Sequence, residues 1–208
     1  MNTMKPTNKT NPHKLVIIGA SGHGKVVADI ALLNGYDEIV FLDDNENTHE
    51  CAGFPVVGKT SEASQIDGDK IVAIGNAKIR EKIQSELQTV TLIHPNAVIG
   101  RNVEIGEGTV VMAGAVINPE TKIGKGCIIN TTASVDHDCK LADFVHVAVG
   151  AHVCGTVCIG DRTWIGAGAV VSNNVDICED VMVGAGAAVI KNIQDHGTYV
   201  GVPVRKLN

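Results

Sequence analysis

Two short stretches carry side chains able to do chemistry. One is DHDC at 136–139. Its His137 can take the proton of an attacking amine or hydroxyl, and a neighbouring carboxylate can fix the tautomer of the ring. Eighteen residues on stands Gly155, whose N–H is uncovered by any side chain and is the kind of donor that stabilises an oxyanion. Together these are the parts of an acyl-transfer centre; the plain alternative is a polar turn facing solvent. The other stretch is GASGHGK at 19–25, between KLVII and VVADIALLNG. It fits the G-x-x-x-x-G-K spacing of a nucleoside-triphosphate loop, and VFLDD imitates the second acidic motif, but Val26 stands where a Ser or Thr hydroxyl must hold magnesium. As a dinucleotide loop it has an acid about twenty residues on, at Asp43 or Asp44, yet its glycines run G-x-x-G-x-G. A third reading keeps only bare backbone and a helix N-terminus. These would receive the diphosphate or sugar of a sugar nucleotide, while Asp43, Asp44 and the IGN turn at 74–76 hold the nucleoside. A strand-to-helix turn without a ligand would also need the glycines but gives His23 no task.

The elements that must position these residues fall into two unlike halves. From Ile93 to Val189 every sixth residue is Ile, Val or Leu, and four residues after each comes a small or β-branched one such as Ala97, Thr109 or Cys127. A six-residue period is neither helical nor simple alternation; it suits a parallel β-helix of three-sided coils, 18 residues each, burying an aliphatic stack. In a regular prism Gly155 lies one coil above His137, about 4.8 Å away. Between five and six coils fit from Ile93 to Ile193. Residues 14–92 read instead as β-α-β: KLVII, a helix from Lys25 to Asn34 stopped by Gly35, EIVFL, KIVAIGN, the helix AKIREKIQSELQ, and VTLIHP leading into the prism. A small Rossmann-like parallel sheet binds ligands at the carboxyl ends of its strands, where GASGHG, LDD and IGN all lie. Residues 1–13 read as a disordered segment.

The ordered series KLVIIGASGHG, VFLDD, AIGNAKIR, VDHDC, FVHVAVGA and GVPVRKL resembles the hexapeptide-repeat acyltransferases. Within them it is most similar to the bacterial sugar N-acetyltransferases of bacillosamine synthesis and the related sialic-acid O-acetyltransferases. The resemblance implies a left-handed β-helix, a homotrimer, and acetyl-CoA lying along the prism between two subunits. It makes His137 the general base and Asp138 its partner. Several family members carry Glu at that place, one methylene longer. It puts His146 near the acetyl group, His23 toward the sugar, Gly155 near the thioester, and Ala167, Ala185 and Lys191 near pantetheine and nucleotide. The expected acceptor is the 4-amino group of a nucleotide-linked 4-amino-4,6-dideoxy sugar, UDP favoured. Its contacts are expected at Gly22, His23, Asp43, Asp44, Gly75, Asn76 and Arg80. Acetyl to a hydroxyl of sialic acid or another sugar is the near alternative. A trimeric zinc enzyme using His137, His146 and His152 is the distant one, and it leaves the first half without a role. The thioester chemistry requires no metal.

Composition bounds the remaining classes. With 208 residues, 44% hydrophobic and 19% charged, the chain can bury a core. A net charge of −6 offers no field for nucleic acid or an anionic membrane. No apolar run reaches the roughly 20 residues of a membrane span, and the first residues lack the apolar core of a secretion signal, so a cytoplasmic location is expected. Six cysteines without a C-x-x-C pair read as buried residues or free thiols.

Overall fold

The computed structural model describes residues 13–207. Most of the segment expected to be disordered lies outside them. His13 does not fit that expectation, since its ring stacks on Tyr36 and its Nε2 sits 3.1 Å from Asp69.

The apolar run KLVII forms β1 (Lys14–Ile18), buried from Leu15 onward, as a parallel strand covered on both faces must be. The helix α1 (Gly22–Leu33) follows directly. It starts three residues earlier than the sequence suggested, because Ser21 takes the N-cap position and Gly22 already has helical geometry. Val27, Ala28, Ile30 and Ala31 bury its inner face. At its end Gly35 has φ 86°, a left-handed conformation that glycine adopts without penalty. The next strands are β2 (Glu38–Leu42), β3 (Glu50–Cys51) and β4 (Phe54–Gly58). A 3-10 turn at Thr60–Gln65, β5 (Asp69–Val72) and α2 (Ala77–Gln84) complete the unit. The sheet order is β3-β4-β2-β1-β5, parallel except for the β3–β4 hairpin. That hairpin was not anticipated; β3 is two residues long and Pro55 sits within β4, which reads as non-strand in sequence.

The strand VTLIHP does not join this sheet. Its core, β6 (Leu92–Ile93), pairs with Val110–Val111 and opens the β-helix. From there parallel partners differ by 18 residues, as in Ser134 with Val116 and His152 with Ser134. Two-residue strands stack into three sheets. The aliphatic ladder and its small partners form one continuous buried cluster from Val111 to Ile193. Thr109, Thr121 and Thr163, fully buried among them, bridge coils with their hydroxyls; Thr163 donates to the Cys178 carbonyl and accepts from Val181 N–H. At the corners every sixth residue from Asn102 to Gly186 has a φ between 54° and 69°.

The outward residues make the three sides unlike. One side (Leu92, Val110, Ile128, His146, Trp164, Met182) is covered at its first coils by α1 and β1, whose core is continuous with Leu92, Val110, Met112 and Ile128. A second side shows Glu104, Lys122, Lys140, Cys158 and Asp176. The third shows Val98, Val116, Ser134, His152, Val170 and Ala188, without a charged residue.

Candidate active site

His137 stands at the corner where the uncharged side turns into the charged one. Its Nδ1 is 2.7 Å from Asp138 Oδ2. The aspartate, though shorter than glutamate, makes the contact because it occupies the left-handed corner position with φ 59°, a conformation Asp tolerates better than most residues. Asp136 was not singled out from sequence. Its Oδ1 accepts from the His137 N–H at 2.9 Å and from Asn118 Nδ2 at 2.7 Å. The same 18-residue step that links His137 to Gly155 links Asn118 to Asp136 and would have found the pair. The Asn118 and His137 N–H bonds hold the Asp136 carboxyl below the usual range. The Asp138 hydrogen bond, followed by the Asp136 charge, raises the His137 imidazole above its ordinary value. Gly155 lies where expected: a Cβ there would meet His137 Cε1 at 2.7 Å and Nε2 at 2.8 Å. The bare residue is what lets the ring lie over the coil. With Nδ1 engaged by Asp138, Nε2 is the nitrogen free to take a proton.

A second cluster lies between the α/β unit and its side of the prism. His146, 8% exposed, stacks on Trp164 at 4.7 Å between ring centroids. Asn130 Nδ2 is 3.0 Å from His146 Nε2, while Asn130 Oδ1 accepts from Thr131 N–H. That second bond orients the amide, so Asn130 donates and His146 Nε2 accepts, which assigns the hydrogen to Nδ1. Among the described residues buried His146 Nδ1 has no hydrogen-bond partner, nor has His23 Nε2. Burial first, then the Arg80 charge, lowers His23 to about 4 and His146 to about 3. Both are neutral imidazoles, each with one buried nitrogen unpaired among the described residues. Asn130 and Trp164 were missed; Trp164 is one coil above His146.

The other expected contacts divide. Gly22 and Gly75 have open space where a Cβ would stand, so packing does not demand glycine at either. Gly24, by contrast, would collide with the Gly19 carbonyl. Asp43 braces the loop, its Oδ2 accepting from Ala20 N–H at 2.7 Å and its Oδ1 from Asn45 N–H. Asp44 accepts from Thr60 N–H and edges a cavity of about 780 Å³ that also includes Ser61, Lys78 and Lys82. Asn76 caps α2 through Ile79 N–H. Arg80, expected as a ligand contact, is 1% exposed and spends its guanidinium on four main-chain carbonyls; it acts inside the protein. Ala167 and Ala185 are exposed at one corner, one coil apart, and Lys191 is exposed beyond Ala188–Val189. His137, His146 and His152 leave from a corner and two different sides, so a single chain does not converge them.

Within one chain His137 is therefore not beside His146, Ala167 and Ala185. The first lies on one edge of the uncharged side, the alanines on the other.

A small parallel α/β unit joined to a β-helix, with a His–Asp pair laid over a bare glycine, is the build of a hexapeptide-repeat acyltransferase. A profile described as PglD N-terminal domain matches residues 14–87, and one described as bacterial transferase hexapeptide (six repeats) matches residues 90–119. The acetyltransferase domain of PglB from Neisseria gonorrhoeae FA1090, solved also in complex with acetyl coenzyme A, is 41% identical with TM-score 0.90, over 94% of this chain and 100% of that one. PerB from Caulobacter crescentus, in complex with CoA and GDP-perosamine, is 35% identical with TM-score 0.88, over 96% of this chain and 99% of that one. UDP-N-acetylbacillosamine N-acetyltransferase of Bacillus subtilis (strain 168) is 35% identical over 111 residues, 47% of this chain and 50% of that protein, so the match spans half of that relative. The chain belongs to the family of acetyl-CoA-dependent sugar N-acetyltransferases that join a PglD-type N-terminal domain to a hexapeptide-repeat β-helix.

Proposed function

We propose that this chain moves acetyl from acetyl-CoA to the 4-amino group of a nucleotide-linked 4-amino-4,6-dideoxy sugar, with UDP as the first carrier to test, in the bacterial cytoplasm. The observation that carries this reading is the His137 ring, pinned at Nδ1 by Asp138 and lying over Gly155. His137 Nε2 removes the proton of the amine as its nitrogen attacks the thioester carbonyl carbon. Asp138 keeps Nδ1 protonated and stabilises the imidazolium. The Gly155 N–H, which among the described residues finds no acceptor, receives the oxyanion. When the tetrahedral centre collapses, the carbon–sulfur bond breaks and His137 returns its proton to the sulfur. Gly22 and Gly75 support a nucleotide-linked acceptor, since their bareness serves no packing need and leaves backbone open at the helix start and the IGN turn. The UDP carrier is favoured by the Bacillus relative, a UDP-N-acetylbacillosamine N-acetyltransferase; PerB is solved with GDP-perosamine.

We further propose a homotrimer through the uncharged side. Threefold association there would bring the His137 edge of one chain against the Ala167 and Ala185 edge of its neighbour, completing a cleft no single chain closes. The direct experiment offers acetyl-CoA with UDP-, dTDP-, GDP- and CMP-linked amino sugars and measures free CoA. Release with one or more of them is expected; silence across the whole panel rejects the acceptor class.

A further inference from the structure

Among the described residues Arg80 is the one charged side chain in the protein core. No carboxylate among the described residues forms an ion pair with it, and burial draws it down only to about 10, so it stays charged at neutral pH. A buried charge without an ionic partner is costly unless its donors are satisfied. Here four of its five are: Nε donates to the Gly126 carbonyl at 2.7 Å, Nη1 to Ile74 at 2.7 Å and Gly75 at 3.0 Å, and Nη2 to Phe144 at 2.9 Å. Two of these carbonyls belong to the turn that carries Gly75 and Asn76. The other two belong to one corner of the prism in successive coils, and Phe144 leads within two residues to His146. The Phe144 corner is itself unusual, a bulky residue at φ 60° with its ring buried; such a backbone persists only where its surroundings hold it.

We propose that Arg80 is the positioning residue of the acceptor site, its planar fork registering the 74–76 turn of the α/β unit against the prism corner that leads into His146. It does not touch the substrate. It fixes how far the acceptor platform stands from the prism, which is a distance the reaction depends on. The acceptor half of this inference rests on the function proposed above.

The test uses the full chain and Arg80→Lys, which keeps charge and reach but replaces the fork by a single ammonium unable to hold four carbonyls in one plane. The KM for the nucleotide amino sugar is expected to rise about tenfold or more, with the KM for acetyl-CoA within about twofold of wild type. Amide hydrogen exchange should speed up together at residues 74–80 and 144–147. Unchanged kinetics, or both KM values rising together, overturns the proposal. Wild-type protein gives a check that needs no variant: UDP, or whichever nucleotide binds, should slow exchange in both segments, and protection confined to 74–80 also overturns it. If no nucleotide amino sugar is turned over, the proposed function fails, while the joint response of the two segments in Arg80→Lys still decides the role of Arg80.

Discussion

At the scale of single residues, the site depends on an absence as much as on a presence. Gly155 has no left-handed φ to require glycine, and the atoms a Cβ would meet are the far end of the exposed His137 side chain. Gly155→Ala should therefore fold and associate normally while pushing the imidazole off its place. A displacement of about 1 Å in a catalytic group can cost 10²-fold, so kcat is expected to fall by about that factor with an unchanged melting temperature. An unaltered kcat would detach Gly155 from the chemistry. Asp138 gives a separate readout. Its hydrogen bond raises the His137 imidazole, so the free base is lost as pH falls through that raised value. Asp138→Asn keeps a residue at ease in the left-handed corner but removes the charge. The acidic limb of the kcat profile should then shift to lower pH, with a lower plateau; a limb that stays in place would assign it to another group.

Among the elements, the β-helix was legible and the edges of the α/β unit were not. The ladder repeats one demand seventeen times over from Ile93 to Val189, and each repeat confirms its neighbours. The 18-residue step alone places His137 against Gly155. The β3–β4 hairpin had no such support, being short and proline-bearing. Arg80, expected as a contact of the acceptor, was illegible for a related reason: nothing in AKIREKIQ says which way its side chain turns, and only the docking of α2 against Gly126 and Phe144 makes it interior. The coils also carry a polar device the aliphatic pattern hides. Thr163, far from His137, satisfies the Cys178 carbonyl and the Val181 N–H in the dry interior. Thr163→Val preserves the shape and leaves both unpaired, which costs about 1–3 kcal/mol per buried group. The denaturant midpoint should drop while kcat holds; an unchanged midpoint would mean the interior is wetter than it looks.

The whole molecule is organised by the unlike sides of its prism. The first coils of one side are sealed by the α/β unit, and the side bearing Glu104, Lys122 and Lys140 is suited to water, with Lys122 and Glu104 paired at 2.8 Å. The remaining side exposes Val98 at 60% and Val170 at 41% in a column with no charge. An uncharged face with exposed valines toward both ends, and between them Ser134 and His152 hydrogen-bonded to each other at 2.8 Å, is suited to contact with another protein surface, and closed association of identical chains is the usual way to cover one. Val170→Glu tests this one coil from the end of the column, between His152 and Ala188 in the ladder. In a monomer the new carboxylate would simply be solvated. In a threefold assembly three of them would be drawn from water without partners, a loss far larger than a surface substitution. Light scattering after gel filtration should show a trimer for wild type and one chain's mass for Val170→Glu, with far-ultraviolet circular dichroism unchanged. Acetyl transfer should disappear with the trimer, because His137 would lose the edge that faces it. A variant that stays trimeric, or a monomer that retains full activity, would place the complete site within one chain.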